Sequence, residues 1–338
     1  MQDALAARSP IRLLGRPPAL ARGGVDQDHA SRRHPALLDE LLADEDTRIV
    51  VVHRDRGLVR AIPENAGATD AEARASAGLD GVGLELVRPD AVPDALALVY
   101  LGVSEVDAPH APKGTRFMAA VLDAPRAAAL APAERWESLR SIGARLSDLE
   151  SSLLTQAVAI GTWHADHRYS PISGRPLHPE QAGWVLRGEF DEPKQFPRTD
   201  PAVIVAVTDA DDRLLLGSNV LWEGNRYSLL SGFVEPGESL ESAVVREVFE
   251  ESGIRVVEPV YLGSQPWPFP RSLMIGFHAL ADPAVDHELT PDDEEILDLR
   301  WFTRHEIETT ADIILPGPTS IARRIIEGWL GHELGDDR

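Results

Sequence analysis

Short runs of apolar residues, bounded by glycine, proline and aspartate, occur in two separate parts of this chain. In the first part they are TRIVVVH, ALALVYLGV and RFMAAVL, and in the second they are PAVIVAV and RLLLGSN, joined by the turn DADD. Runs of this kind predict β-strands. Between the two parts, apolar positions recur at helical spacing and predict one long helix over about 132–161. The pattern therefore indicates a mixed α/β chain with two domains.

These elements divide the 338 residues into segments, and a chain of this length suits two or three domains. We find no internal repeats, so an array of repeated units is not expected. The predicted organisation is an irregular start and short helix at 1–45, a smaller α/β domain at 46–135, a linker helix and polar ribbon-like segment at 136–200, a larger α/β domain at 201–331, and a tail at 332–338.

Composition excludes several classes of function. The net charge is −22, and lysine occurs at two positions only, Lys113 and Lys194. Such acidity argues against non-specific binding to nucleic-acid phosphates or to anionic membranes. No apolar run approaches the roughly 20 residues that cross a bilayer, and the first residues lack the apolar core of a signal peptide. With no cysteine, disulfides and thiolate metal sites are excluded, and we expect a cytoplasmic protein.

The stretch GFVEPGESLESAVVREVFEESGI, residues 232–254, predicts a turn followed by a helix. Pro236 and Gly237 favour the turn, and Ser239 is a suitable N-cap for the helix. Gly253 supplies the stop, because glycine adopts the left-handed conformation that commonly ends helices.

Three carboxylates project from one face of this predicted helix. Glu247, Glu250 and Glu251 are related by three and four positions, so their side chains are neighbours and repel one another. A hard divalent cation would turn that repulsion into attraction, because carboxylate oxygens suit Mg²⁺ and Mn²⁺. Arg246 can reach Glu250, or Glu238 across the turn, and orient a ligand. The alternative is a solvated acidic face, which is common in an acidic protein.

The spacing of the whole motif favours a metal site over a solvated acidic face, because it resembles the motif of a known family. Gly232, Glu238 and then REVFEESGI match the Nudix box without a mismatch, so the chain resembles Nudix hydrolases. The resemblance implies an α/β/α sandwich with a mixed sheet, preceded here by the smaller α/β domain and the ribbon-like segment. It also implies hydrolysis of a nucleoside diphosphate linked to another group, with two or more Mg²⁺ or Mn²⁺ ions. The implied metal ligands are the three helix glutamates, the carbonyl of Ser231 and one glutamate outside the box.

A rigid aromatic loop, SQPWPFPRS at 264–272, follows shortly after the helix. Its prolines lower the entropy cost of ordering it, and its two rings suit either a clamp for a flat ligand or a plug in the core. SQPWPFP with a serine two residues on resembles the loop of NADH pyrophosphatases, also called NAD-capped RNA hydrolases, within the Nudix family. The resemblance implies these substrate-binding residues: Gln265, Pro266, Trp267, Pro268, Phe269, Pro270, Arg271 and Ser272.

Further positions are carried over from the same resemblance. Glu295, six residues before Trp301, matches the additional catalytic or metal-binding glutamate, although its acidic loop taken alone would be read as surface. Phe196 matches a substrate-contacting aromatic that is usually tyrosine, so stacking is retained and a hydroxyl is lost. Ala322 matches a position near the substrate at the start of the last helix. Relatives act as homodimers, and we expect the same here.

The sequence departs from the family at its zinc ribbon, because no cysteine is present. Serine and glycine side chains cannot replace thiolates in a tetrahedral zinc site, and we expect no zinc. We predict that the ribbon keeps its shape through packing around Trp184 and Phe190. The positions that correspond to the two CxxC pairs are Ser170, Ser173, Gly188 and Asp191.

The predicted function is metal-dependent hydrolysis of the diphosphate bond of NADH and NAD⁺, with NAD-capped RNA as a further substrate. RNA would need a local basic track, for which the candidates are Arg187, Arg198, Arg271, Arg323 and Arg324. Two alternatives stay open. One is a Nudix hydrolase acting mainly on ADP-ribose or another nucleoside diphosphate derivative, or on a nucleoside triphosphate. The other is a nucleotide-sensing module without catalysis.

Overall fold

The computed structural model describes residues 11–13, 15–61, 81–92, 94–189, 192–222, 224–285 and 288–335. The chain forms two compact units, which we call N-terminal and C-terminal after their larger segments. The N-terminal unit comprises Ala19–Thr199 and Pro266–Arg271. The C-terminal unit comprises Met1–Pro18, Asp200–Gln265 and Ser272–Arg338. The linker helix and ribbon-like segment thus belong to the N-terminal unit, and so does the tip of the aromatic loop.

A mixed sheet forms the N-terminal unit, with the order β1-β6-β7-β2-β3-β4 and with β5 and β8 added beside β2 and β3. The central pair β2 and β7 is parallel, and the other pairs are antiparallel. The strands are β1 (Val25–Asp26), β2 (Arg48–His53), β3 (Arg56–Ala61), β4 (Val82–Leu84), β5 (Leu86–Val87), β6 (Ala97–Ser104), β7 (Arg116–Val121) and β8 (Trp136–Ser138). The helices of at least four residues in the described part of this unit are α1 (Leu37–Ala43), α2 (Ala124–Leu130), α3 (Leu139–Ile142) and α4 (Asp148–Asp166).

The long helix predicted over about 132–161 is divided in the structure. Strand β8 and the short α3 come first, and α4 begins only at Asp148. Ser147 starts α4 with a capping box, in which its hydroxyl accepts from the Glu150 backbone and the Glu150 carboxylate accepts from the Ser147 backbone. The prediction of one helix was wrong because periodic apolar positions continue across this cap. Helix α4 then packs on the sheet, with Gly161 against Val52 and Val121.

The ribbon-like segment forms a two-stranded antiparallel sheet, β9 (His178–Glu180) and β10 (Val185–Arg187). Trp184 fixes it to the rest of the unit, because its indole nitrogen donates to the carbonyl of Tyr100 at 2.6 Å. The guanidinium of Arg32 lies 3.7 Å from the centre of the Trp184 ring. A ring nitrogen of His164 lies 2.8 Å from the carbonyl of Gly183. Packing around Trp184 is therefore present, whereas Phe190 and Asp191 lie outside the described residues.

The C-terminal unit contains a second mixed sheet in the order β14-β15-β11-β12-β16, with β13 paired to β11. Strands β11 and β15 are parallel, and β11 is antiparallel to β12 and β13. The strands are β11 (Asp200–Thr208), β12 (Leu214–Asn219), β13 (Leu230–Phe233), β14 (Val256–Trp267), β15 (Ser272–Ala281) and β16 (Ile296–Phe302). The described helices are α5 (Leu240–Ser252), α6 (Arg304–Thr309) and α7 (Ile321–Leu330).

The alternation of side chains along β11 builds a layer on each face of this sheet. Val203 and Val205 join one buried cluster with residues of α5, and Ile204 joins another with residues of α7. A strand that is apolar on both faces is expected where helices cover both sides of a sheet. The predicted α/β/α sandwich with a mixed sheet is therefore confirmed.

No helix among the described residues is both long enough and apolar enough to span a membrane.

Candidate active site

Helix α5 begins and ends where the sequence predicts. The hydroxyl of Ser239 accepts a hydrogen bond from the backbone of Ser242 at 3.1 Å, which caps the first turn. Gly253 has φ 73°, the left-handed conformation that ends the helix, and its N–H donates to the carbonyl of Phe249 at 2.8 Å. Gly237 in the preceding turn has φ 92°. These local signals fix which residues of α5 face the sheet.

Glu251 is the most buried carboxylate of this helix, with 6% of its surface exposed. The backbone N–H of Ser231, on strand β13, donates to its Oε2 at 3.2 Å. Burial, with the negative charges of Glu247 and Glu295 adding to it, raises the pKa of Glu251 to about 8. A carboxylate whose pKa is shifted this far by burial and by neighbouring charges is a candidate for a functional site.

Glu247 lies directly over the backbone of Gly232. A Cβ added to Gly232 would lie 2.0 Å from Cδ of Glu247 and 2.1 Å from its Oε2. The glycine is therefore required for space at this point on β13, because any side chain would displace the carboxylate. Burial also raises the pKa of Glu247, against the opposite effect of Arg246.

Arg246 holds the acidic side chains in place. Its Nε and Nη2 donate to the two carboxylate oxygens of Glu238 at 2.8 and 2.7 Å, a bidentate pair. Its Nη1 lies 2.8 Å from Glu247 and 3.0 Å from Glu250. Its Nη2 also donates to the carbonyl of Phe233 at 3.0 Å. Both contacts that the sequence suggested as alternatives, to Glu238 and to Glu250, are thus made together.

Glu295 is brought to the same group of carboxylates by a tight loop. The side chain of Asp292 accepts from the backbone of Glu295 at 3.0 Å and from Ile296 at 2.8 Å. The carbonyl of Glu295 accepts from the backbone of Val220 at 2.9 Å. Its charge contributes to the raised pKa values of Glu247 and Glu251, so it acts on the same site.

All of these groups would coordinate through oxygen, which suits a hard divalent cation. A bound cation would also relieve the repulsion between their negative charges. Within the described ranges, no three acidic or histidine side chains are already arranged as a coordination sphere. Arg246 instead engages Glu247 and Glu250, and the Glu250 side chain is 58% exposed. Each of these two contacts uses one carboxylate oxygen, Oε1 of Glu247 and Oε2 of Glu250, so a cation could bind through the other oxygen while Arg246 stays in place.

The aromatic loop belongs to the N-terminal unit over Pro266–Arg271. Trp267 and Phe269 make a T-shaped contact with ring centres 4.9 Å apart, and both rings pack, half-buried, against the hydrophobic core of that unit. Arg140, from α3, places its guanidinium 4.4 Å from the Phe269 ring and 5.1 Å from the Trp267 ring. Sequence reasoning did not identify Arg140, because this contact joins residues that are far apart in the chain.

Comparison with known proteins gives matches in both units. The NUDIX domain model matches residues 198–319, and the NADH pyrophosphatase-like rudimentary NUDIX domain model matches residues 46–163. NAD-capped RNA hydrolases NudC of Mycobacterium bovis and Mycobacterium tuberculosis are each 45% identical over 213 residues, which is 60% of this chain and 67% of theirs. That of Stutzerimonas stutzeri is 40% identical over 204 residues, 60% of this chain and 71% of its own. The chain belongs to the NudC-like family of Nudix hydrolases.

The other residues predicted for this NudC-like site differ in exposure. Phe196, in the N-terminal unit, is 61% exposed, so its ring is free to stack. Gln265 is fully buried, and its amide donates to the carbonyl of Thr319 at 3.0 Å. Ala322 lies in the first turn of α7, is 2% exposed and packs in the hydrophobic core, and its backbone N–H donates to the hydroxyl of Ser320 at 3.2 Å. Ser272 begins β15 opposite Asp200.

The basic track considered for RNA is weakened by ion pairs. Arg187 lies 2.7 Å from Glu180, and Arg324 lies 3.0 Å from Glu327. Arg323 is 1% exposed and lies 3.0 Å from Glu327, so it forms a buried ion pair inside the C-terminal unit. Three of the five candidate arginines are thus already paired with carboxylates, and this NudC-like protein has fewer cations for RNA phosphates than its sequence suggested.

Arg140 provides a test of the loop. Replacing Arg140 with Ala is expected to raise KM for NADH about threefold with little change in kcat, because a cation over partly exposed rings contributes about 0.5–1 kcal/mol. Arg140→Lys keeps a charge over the rings and is expected to restore most of the affinity. Steady-state kinetics of the two variants would show this, and an unchanged KM in Arg140→Ala would mean that the contact does not order the loop for substrate.

Proposed function

We propose that this protein hydrolyses the diphosphate bond of NADH and NAD⁺, releasing AMP and reduced or oxidised nicotinamide mononucleotide. NAD-capped RNA is a further proposed substrate and would be left with a 5′-monophosphate end. The proposal is supported by the NudC-like family, whose curated relatives are named NAD-capped RNA hydrolases. The observation that carries it is the buried Glu251, with Glu247 and Glu295 acting on it and with Arg246 orienting its neighbours.

The ligands proposed for Mg²⁺ or Mn²⁺ are Glu247, Glu250, Glu251, Glu295 and the carbonyl of Ser231. When bound, such ions neutralise the diphosphate and lower the pKa of a water that attacks phosphorus. The chain supplies the remaining functions. Arg246 orients Glu247 and Glu250 through its ion pairs, and either Glu250 or Glu295 accepts the proton of the attacking water.

For the flat rings of the substrate, we propose the aromatic loop and Phe196. Trp267 and Phe269 are held in one orientation by their mutual contact and by Arg140, so little entropy is lost when a ring stacks on them. The other residues that we propose to contact the substrate, from the family resemblance, are Gln265, Pro266, Pro268, Pro270, Arg271, Ser272 and Ala322.

We also propose that the protein acts in the cytoplasm as a homodimer without zinc. The cysteine-free composition supports the compartment and the absence of a thiolate zinc site. The dimer follows from the family resemblance. Light scattering coupled to gel filtration would measure the mass, and a species of 36.8 kDa, the mass of one chain, would contradict it.

The substrate is tested by cleaving NADH, NAD⁺, an NAD-capped transcript and ADP-ribose side by side, with Mg²⁺ and then Mn²⁺. Mass spectrometry of the products is expected to show AMP and reduced nicotinamide mononucleotide from NADH at the highest kcat/KM. A clear preference for ADP-ribose would support the first alternative, a different Nudix specificity. Tight NADH binding without products would support a sensing module and contradict the proposal.

A further inference from the structure

A short segment near the start of the chain packs against α7, the last helix. Ile11 is 8% exposed and joins the buried cluster that includes Trp329 of α7. A Cβ added to Gly328, in the last turn of the same helix, would lie 2.4 Å from the carbonyl oxygen of Arg12 and 3.5 Å from Cγ2 of Ile11. Glycine at 328 therefore leaves the space that residues 11–13, which we call segment 11–13, occupy.

The same segment lies against the edge strand of the sheet. Leu13 is half-buried and packs against the same cluster. A Cβ added to Gly263, on β14, would lie 2.6 Å from Cδ1 of Leu13, so a second glycine leaves space for the segment. Within the described sheet, β14 pairs with β15 only. Segment 11–13 thus contacts α7 and this edge strand together, inside the C-terminal unit.

The end of β14 that the segment contacts leads into the aromatic loop. Gln265 follows Gly263 by two residues and is fully buried. Its amide donates at 3.0 Å to the carbonyl of Thr319, which is 3% exposed and lies just before α7. Strand β14 and α7 are therefore joined at Gln265 by a hydrogen bond, and segment 11–13 contacts both elements as well.

We propose that segment 11–13 lies as a wedge between α7 and β14 and positions the start of the aromatic loop for its substrate, a role that rests on the function proposed above. Without the segment, the end of β14 would be held by one neighbouring strand and by the contact of Gln265 with Thr319. A smaller fraction of molecules would then have the loop in its binding conformation, and the apparent affinity would fall by that fraction. Ile11 and Leu13 are positioning residues, because they act through α7 and β14 and not on the reacting atoms.

The sign of one stability change tests the contact with α7. Alanine is a better helix former than glycine, and Gly328 has no positive φ, so Gly328→Ala would raise Tm if this part of the helix faced open space. Because the carbonyl of Arg12 lies there, Gly328→Ala is expected to lower Tm by at least about 3 °C. A Tm equal to or above that of the wild type would overturn the proposal, whatever reaction the protein catalyses.

A second background shows whether the segment causes this fall. Ile11→Ser combined with Leu13→Ser is expected to weaken the apolar contacts that hold the segment. In this double variant, Gly328→Ala is expected to lower Tm by less than about 1 °C or to raise it, because the carbonyl of Arg12 can move away. An equal fall of Tm in both backgrounds would overturn the proposal. Should the double variant not fold, the sign for Gly328→Ala in the wild-type chain decides.

Steady-state kinetics with NADH test the positioning role. Leu13→Ala is expected to raise KM about threefold with kcat within about twofold, and Leu13→Met, which keeps the volume, is expected to restore most of the affinity. Arg12→Ala is the matched control, because the Arg12 side chain is exposed and its carbonyl is retained. An unchanged KM in Leu13→Ala, or a fall in kcat alone, would contradict the positioning role. A wild type that does not cleave NADH would instead contradict the proposed function, and the Tm measurements would still report on segment 11–13.

Discussion

Replacing Glu251 with Gln is expected to lower kcat for NADH by at least about 100-fold, with the fold intact. The substitution keeps the size of the side chain and its hydrogen bond from Ser231, but it removes the negative charge nearest the core of the site. Glu241→Gln is the matched control, because Glu241 is exposed in the first turn of the same helix. NADH cleavage at a near wild-type rate in Glu251→Gln would show that the metal assignment is wrong.

The same variant is expected to be at least as stable as the wild type when a chelator removes divalent cations. Folding raises the pKa of Glu251 from 4.5 to about 8, so the ionised carboxylate costs stability above about pH 4.5, and the full cost is reached above about pH 8. The amide carries no such cost. Thermal unfolding at pH 8.5 would show this, and a variant that melts well below the wild type would mean that Glu251 is a stabilising structural acid.

Replacing Gly232 with Ala is the second large effect that we expect, a fall in kcat/KM of about 10–100-fold. The new Cβ would lie 2.0 Å from Cδ of Glu247, so this carboxylate must leave its position over β13. Stability is expected to change little, because the displaced group is the end of a flexible side chain. Gly224→Ala is the control, since a Cβ there meets no atom within 4 Å. Wild-type activity in Gly232→Ala would contradict the placement of Glu247 in the site.

The acidic helix and the sandwich around it follow from local rules. Ser239 and Gly253 set the ends of α5, and the spacing of its residues then places Glu247 and Glu251 together. The alternation along β11 separates the two apolar layers without reference to the rest of the chain. The contact of Arg246 with Glu238 lies within the helix and the adjoining turn, so it too could be predicted from the local sequence.

The parts that could not be predicted depend on contacts between distant residues. Arg140 meets Trp267 across more than one hundred positions of sequence, and the burial of Gln265 depends on the backbone of Thr319. Arg323 was a candidate for nucleic-acid phosphates, yet its charge is satisfied inside the unit by Glu327. Charge and residue type do not distinguish a buried ion pair from an exposed cation, because that difference depends on tertiary packing.

Binding of Mn²⁺ to the wild type and to Glu251→Gln, followed by electron paramagnetic resonance, tests the central claim that the carboxylates of α5 and Glu295 gather divalent cations. The wild type is predicted to remove the signal of free Mn²⁺ up to a defined stoichiometry, and Glu251→Gln is predicted to bind at least about tenfold more weakly. Equal binding by the two proteins, or no binding by the wild type, would contradict this account.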